Sequence, residues 1–579
     1  MKRDLFNNKD LAAVILIFAA VIVCYANSLP GAFIYDDVTI VVNNPLIKSF
    51  GKLGHVFSSG YWAMLGKSAG LYRPLTILSY QIEYSFAGLN PFFYHMDNVL
   101  LHFICSVVVY FLLKNFFIDN KTPLFASLLF AVHTVHTEAV NWIVCRAELL
   151  AAFFVFLSLW IFIRKPFGRW SSILSPAVLF LGLMSKESAI IVPPLLTAYL
   201  LIFEKDKDWR TRLINVARRI YPFVVAVTSY AALRLFVLGG AVGPGGADRY
   251  FFNVGPYDAF LTMCSAFTSY IRLAFLPFGL SAVYRFPAPA SIFEFEAIFP
   301  IALLVLIAVF SGKIMSRSRT AFFFILWFFI ALLPVSNIIP TGLLMSERAM
   351  YIPVLTTCVL MGMAVAKVRD PSSGSVKWRR SLAYGLFALV MAAFTAGCIK
   401  QNTFWRTEYA FWTHMSGFKP DSAFSHVGMG GALEKMGRGD EAIRQYEAAV
   451  RLDGADAGTR VFLGASYRRS GDMKRAVEQH ELAIRLDPGN GLAHCELGLD
   501  YGEMGMLDDA VREFREAIRL NPMLATANSN LGVAYLMKGQ TDEAIEEFNI
   551  TLRLDPDNKK ASENMQYIRE LKRKGQGVE

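Results

Sequence analysis

Charge is scarce in this sequence. Asp, Glu, Lys and Arg make up 18% of 579 residues, against 54% apolar and 14% aromatic. A soluble domain does not need that much apolar surface. The charge present is also uneven. The first 400 residues are mostly apolar runs, and the remainder is rich in Glu, Arg, Asp and Lys, which implies two physically different halves. The net charge of +10 is modest. Much of it sits in short loops between apolar runs, so it points to membrane orientation and away from nucleic acid. Seven cysteines are scattered at 24, 105, 145, 264, 358, 398 and 495, with no C-x-x-C pair and no His/Cys cluster at zinc spacing. They read as small buried hydrophobes. There is no Walker sequence and no Gly-rich nucleotide fingerprint. The stretch 239–246 (GGAVGPGG) follows no strand, so it reads as a loop, not a phosphate cradle. No small-x-small cleavage site follows the first apolar run, which ends in Asn27-Ser28-Leu29-Pro30. An uncleaved first span is therefore expected.

A span needs about 20 mostly apolar residues. Candidates are 10–27, 96–114, 122–138, 147–163, 171–186, 188–203, 220–238, 297–313, 320–336, 348–366 and 381–399, about eleven in all. Lys2 and Arg3 precede the first. Lys114 and Lys121, then Arg164, Lys165 and Arg169, then 204–219, then Lys313, Arg317 and Arg319, then Lys367, Arg369, Lys377, Arg379 and Arg380 follow even-numbered spans. All of these basic clusters then share one side, which the positive-inside rule makes the cytoplasm. The odd count places the C-terminal half outside. Residues 260–276 are apolar enough to span but would break this pattern, so a re-entrant or interface-lying helix is expected there.

The opposite face collects ionisable residues: Asp36 and Asp37, Arg73, His95, His133, His136, Glu138, Arg146, Glu148, Lys186, Glu187, Glu347 and Arg348. Each is costly at membrane depth and usually faces a cavity or a partner. Singly, each is more often a structural ion pair. Together on one face they predict a shared extracytoplasmic site, with Tyr35-Asp36-Asp37 beyond the first span as its chemical centre.

From about 420 the sequence repeats every 34 residues. Gly430, Gly464, Gly498 and Gly532 form one column. Gly437, Gly471, Gly505 and Gly539 form another, Ala442, Ala476, Ala510 and Ala544 a third, and Tyr446, His480, Phe514 and Phe548 a fourth. Pro420, Gly454, Pro488, Pro522 and Pro556 bound the units. This resembles the tetratricopeptide repeat, with two helices per unit. Four repeats cover about 423–556, and 557–573 reads as a capping helix. His480 falls in the aromatic core column and His494 stands alone, so neither reads as a metal ligand. The expected organisation is a multispanning all-α membrane domain over 1–400, a linker over 401–422 and a repeat solenoid over 423–575.

A carboxylate outside the membrane can take a proton from an acceptor hydroxyl or amide as it attacks an activated carbon. Nucleotide sugars are not expected in that compartment, which makes a lipid-phosphate sugar the natural donor. Arg suits the departing phosphate because its fork matches phosphate oxygens. Arg73, Arg146, Lys186, Arg348 and Arg272 are candidates. His133 and His136, three apart, would share a helix face and could hydrogen-bond the phosphate.

Several blocks resemble the TMTC family of transmembrane and tetratricopeptide-repeat proteins. They are FIYDDVTIVVNNPLI (33–47), YRPLTILSY (72–80), GLNPFFYHMDNVLLH (88–102), FAVHTVHTEAVNWIVCRAELLA (130–151), LMSKESAIIV (183–192) and SERAMYIP (346–353). The resemblance implies the GT-C fold and an inverting protein O-mannosyltransferase, with a polyprenyl-phosphate sugar as donor. It implies a catalytic carboxylate in the first extracytoplasmic loop, at Asp36 or Asp37, the other binding acceptor, supporting its neighbour or holding a cation. Arg73, Arg146, Lys186 and Arg348 would neutralise the donor phosphate, with His133, His136, Glu138 and Glu347 lining the substrate site. Some enzymes of the GT-C class use a metal and others do not; Asp36 and Asp37 with His133, His136 and Glu138 permit a divalent cation. The expected partners are the lipid bilayer, the lipid donor and an acceptor protein or peptide held in the repeat groove, with no nucleic acid. The expected location is a bacterial inner membrane with periplasmic repeats, or an endoplasmic reticulum membrane with lumenal repeats. A ligase for lipid-linked glycans would favour Arg and His over the aspartate pair. A membrane-anchored scaffold would explain the repeats but not the charged face.

Overall fold

The structure is a computed structural model that describes residues 7–62, 70–164, 168–204, 208–239, 255–282, 284, 286, 289, 291–337, 344–367, 374–418, 420–555 and 558–573. All but the first residue of the Gly-rich stretch 239–246 lie outside that range, as do Lys165, Arg369 and Pro556. The described residues are helical and contain no strand. They divide into two compact units, Met1–Ala410 and Phe411–Glu579. Residues 401–422 hold the end of one helix, Gly374–Phe404, and all of another, Glu408–Phe418.

In the first unit each of the eleven apolar segments carries a helix. Six helices are long and apolar enough to cross a membrane: Asn8–Ser28, Pro91–Leu113, Ile143–Arg164, Trp209–Val237, Phe295–Arg317 and Trp378–Phe404. Five are shorter: Lys121–Val132, Trp170–Ser185, Glu187–Phe203, Arg319–Val335 and Leu355–Ala366. The first helix starts at a reciprocal cap. The Asn7 side chain accepts from the Lys9 and Asp10 N–H groups, and the Asp10 carboxylate accepts from the Asn7 N–H. Asp10 also accepts from Lys114 and, at 2.8 Å, from the Tyr110 hydroxyl, so two helix ends are tied on one side. Arg219 pairs with Glu204, and Arg319 donates to the Ile202 carbonyl, which joins further basic ends in the same way. Leu11, Ile15, Leu16, Phe18, Ile298, Phe299, Val305, Leu306, Val309 and Phe310 are exposed, the surface expected of lipid-facing helices.

Three of the shorter helices are short because the backbone breaks at the polar residues. The run 122–138 ends at Val132. His133 is extended, and its Nδ1 accepts the Val135 N–H at 3.3 Å, so a single turn follows instead of helix. A second break comes at Trp142. Lys186 is extended before a 3-10 turn at Glu187–Ile191, and Glu347–Met350 forms another before Pro353. Irregular backbone at such depth is tolerated only where protein buries it or a cavity is lined. The segment 260–276 lies in a helix, Pro256–Phe275, whose Leu261, Met263, Ala266, Tyr270 and Leu273 are buried while Tyr257, Phe260 and Phe275 are exposed.

The second unit is a stack of helix pairs at Ala423–Lys435 and Gly439–Leu452, Ala457–Arg469 and Met473–Leu486, Gly491–Glu503 and Leu507–Leu520, Ala525–Met537 and Thr541–Leu554, then Lys559–Arg573. The first glycine column lets helices approach. A Cβ at Gly430, Gly464, Gly498 or Gly532 would lie 2.5–2.8 Å from the ring of Tyr446, His480, Phe514 or Phe548. The second column, Gly437, Gly471, Gly505 and Gly539, takes φ between 74° and 87° to end the first helix of each pair. His480 is a core residue, bonded to Asp500 and to the Val461 carbonyl, while His494 pairs with Glu513 at 2.8 Å.

Candidate functional site

Adjacent carboxylates on one loop end up in different surroundings. Asp37 is fully buried, and both its oxygens are used: Oδ2 accepts the Ile34 N–H at 3.1 Å and Oδ1 the Val144 N–H at 2.9 Å. It fastens the first loop to the break at 142–146. Burial pushes its carboxyl well above the usual range, and the two N–H bonds oppose that shift. Asp36 is half-buried. Burial raises its carboxyl to about 6, and the nearby positive charge of Arg348 pulls the other way. Tyr35, just before it, sits at φ 48°, in the left-handed region that non-glycine residues rarely enter. Strain of this kind persists where surrounding packing imposes it and tends to cluster at functional sites. Tyr35 packs on Trp142 with centroids 5.8 Å apart.

Four of the predicted cations, Arg73, Arg146, Lys186 and Arg348, each have an acid partner. Arg348 makes two contacts with the buried Glu138, at 2.8 Å from its backbone N–H and 2.7 Å from Nη1, and its guanidinium lies 5.0 Å from the Trp142 ring centroid. Arg73 donates from Nε and Nη2 to Glu187 at 3.1 and 3.0 Å, over the Tyr61 ring. Lys186 pairs with Glu148. These three cations retain 16–20% side-chain exposure. Arg348 interacts electrostatically with Glu138, Cys145, Glu148 and Asp36, and Tyr61 with Arg73, Asp36 and Asp37. Asp36, Arg73, Glu138, Lys186 and Arg348 therefore form one cluster.

Other predicted residues face elsewhere. Arg146 is 1% exposed and is committed to Glu83, to Asn98 Oδ1 at 3.0 Å and to the Tyr94 carbonyl at 3.0 Å, with its guanidinium 4.7 Å from the Tyr80 centroid. It has no surface left for a phosphate. His133 uses both ring nitrogens on backbone, the Val135 N–H and the Ala274 carbonyl at 3.1 Å. His136 lies buried among Phe130, Tyr351 and His102, with ring centroids 4.5–5.2 Å away. The two histidines do not share one helix, because the chain breaks at His133. Glu347 is buried and accepts from the Tyr284 hydroxyl and the Ser281 N–H, which docks Ser281 and Tyr284 beside the site. Arg272 donates to the Phe278 carbonyl. Among the described residues no group of three or more His, Cys, Asp and Glu side chains could hold a metal ion.

Sequence reasoning missed Glu83, Tyr61 and Trp142 and left Glu148 and Glu187 without roles. Glu148 follows Arg146 by two residues, and Glu187 follows Lys186 directly. Alternating charges inside apolar runs were the available signal.

The tetratricopeptide repeat family model matches residues 428–491 and 495–559. Protein O-mannosyl-transferase TMTC3 from Homo sapiens is 26% identical over 501 residues, covering 78% of this chain and 53% of that protein. Protein O-mannosyl-transferase TMTC1 from Homo sapiens is 26% identical over 493 residues, covering 76% of this chain and 55% of that protein. This chain carries tetratricopeptide repeats and is similar to the TMTC proteins over about three quarters of its length. It spans about half the length of those curated relatives. The crystal structure of MamA is 25% identical over 26% of this chain and 86% of that chain, with a TM-score of 0.23.

Proposed function

We propose that this TMTC-like chain is a membrane glycosyltransferase that moves a sugar, mannose, from a polyprenyl-phosphate donor to a protein hydroxyl on the extracytoplasmic face. The printed names of its relatives supply the reaction class, and the cluster around Asp36 supplies the chemistry. Asp36 takes the proton from the acceptor hydroxyl as its oxygen attacks the anomeric carbon. The bond from that carbon to the phosphate oxygen breaks in the same step, so configuration inverts. Arg348 receives the departing phosphate, aided by Arg73 and Lys186. Their carboxylate partners hold these cations in place before the donor arrives. Asp37 holds the loop and does not meet substrate. The repeats hold the acceptor segment, in a periplasm or an endoplasmic reticulum lumen.

The observation that carries this reading is the division of labour between the two aspartates. Asp36 is half-exposed beside Arg348, while both oxygens of Asp37 are spent on backbone N–H groups. The test is transfer of labelled mannose from polyprenyl-phosphate mannose to co-purified membrane and periplasmic proteins by the full chain in detergent. Asp36→Asn abolishes transfer while the protein remains folded and monodisperse. Wild-type transfer surviving unchanged in Asp36→Asn refutes the assignment. Absence of wild-type transfer from polyprenyl-phosphate mannose and from the corresponding glucose donor refutes the function.

A further inference from the structure

The indole of Trp142 is buried, 6% exposed, yet its Nε1–H has no hydrogen-bond partner among the described residues. Buried indoles usually find one, and leaving a buried donor unmet is costly. The rest of the residue is well fixed. Its N–H bonds to the Glu138 carbonyl at 3.2 Å, and its own carbonyl accepts the Cys145 N–H at 2.9 Å and Asn98 Nδ2 at 3.3 Å. Its ring stacks on Trp405 at 5.6 Å, tilts against Tyr35 at 5.8 Å and is covered by the Arg348 guanidinium at 5.0 Å. The indole therefore touches the residue next to Asp36 and also touches Arg348.

We infer that Trp142 lines the position of the transferred sugar and donates its Nε1–H to a sugar hydroxyl, making it a specificity-determining residue. This rests on the sugar-transfer reading. In an in-line displacement the acceptor oxygen, the anomeric carbon and the phosphate oxygen lie in a row. Asp36 marks the acceptor end and Arg348 the phosphate end, so a side chain packed on Arg348 and on Tyr35, the neighbour of Asp36, borders the sugar between them. Arg348 keeps 20% side-chain exposure. As its guanidinium turns to the donor phosphate it uncovers the ring, and the sugar then satisfies the unmet donor. A site built to hydrogen-bond a substrate hydroxyl rejects analogues lacking it, because the buried donor is again left unpaired.

The test uses the full chain in detergent with polyprenyl-phosphate mannose and its 2-, 3-, 4- and 6-deoxy analogues. Wild type is expected to disfavour one analogue at least tenfold in kcat/KM. Trp142→Phe keeps an aromatic ring and removes the N–H; its mannose KM rises and its discrimination at that one position falls to about twofold, with the other positions unchanged. A second variant carries 3-benzothienylalanine at 142, which replaces the N–H by sulfur in the same shape. It behaves as Trp142→Phe does and decides the matter if the latter misfolds. Wild-type transfer with no deoxy discrimination, or discrimination kept in the N–H-free variants, overturns this inference and leaves the transfer reading standing. Failure of wild type to use any of the sugars sinks both.

Discussion

The pH dependence of transfer tests the base assignment most directly. Asp36 must be ionised to accept a proton, and burial holds its carboxyl near 6. The sign follows: kcat/KM rises with pH, is half-maximal near pH 6, and falls about tenfold per unit below that as the base is protonated. At pH 5 the rate is about one tenth of its plateau. Arg348 lowers the Asp36 value against the effect of burial. Arg348→Gln deletes that positive charge, so Asp36 shifts further up and the acid limb moves to higher pH. Arg348→Lys keeps the charge and holds the limb closer to its original position. Both variants lose plateau activity through weaker donor binding, but plateau height and limb position are separate quantities. The assay is initial-rate transfer from labelled polyprenyl-phosphate mannose in detergent between pH 5 and 8, with the donor well below its KM. A flat profile across that range, or an Arg348→Gln limb that stays in place or moves to lower pH, refutes the reasoning.

The remaining predictions concern stability. Asp37→Asn leaves one of two backbone N–H groups facing an amide NH2, which costs about 1–3 kcal/mol; its thermal midpoint falls below that of Asp36→Asn in the same detergent. Arg146→Met strands the buried Glu83 carboxylate and costs about 3–5 kcal/mol, read as loss of monodisperse protein; pairing it with Glu83→Leu recovers much of the loss. Gly498→Ala places a Cβ 2.7 Å from the Phe514 ring and costs about 1–3 kcal/mol, lowering the repeat unfolding transition seen by circular dichroism.

Periodicity made the repeats legible column by column, because each small or aromatic residue meets neighbours a fixed number of residues away. Apolar runs made the membrane helices legible for the same local reason. Partners were not legible where pairing is tertiary. Arg146 finds Glu83 across 63 residues and Arg73 finds Glu187 across 114. No spacing rule relates those positions, so a buried structural arginine and a half-exposed one read alike. The breaks at His133 and Lys186 were equally hidden. The apolar run through 122–138 continues past His133, and the turn there depends on the Val135 N–H donating to His133 Nδ1 in place of a helical carbonyl.

The choice between Asp36 and Asp37 shows the same principle at the smallest scale. Two identical side chains, adjacent in one loop, differ because the Val144 N–H, 107 residues away, meets one of them. The chain breaks at His133, inside the expected span 122–138, and again at Trp142 beyond it, and the second break leaves the Val144 N–H out of α-helical pairing and free to meet Asp37. The second break also sets the indole of Trp142 beside Tyr35 and under Arg348. A continuous helix would bond the Val144 N–H to its own chain and leave Asp37 with one fewer backbone partner. The irregular segment thus does two jobs at once: it withdraws one aspartate into the scaffold, and it leaves the other half-exposed beside a cation and an aromatic wall.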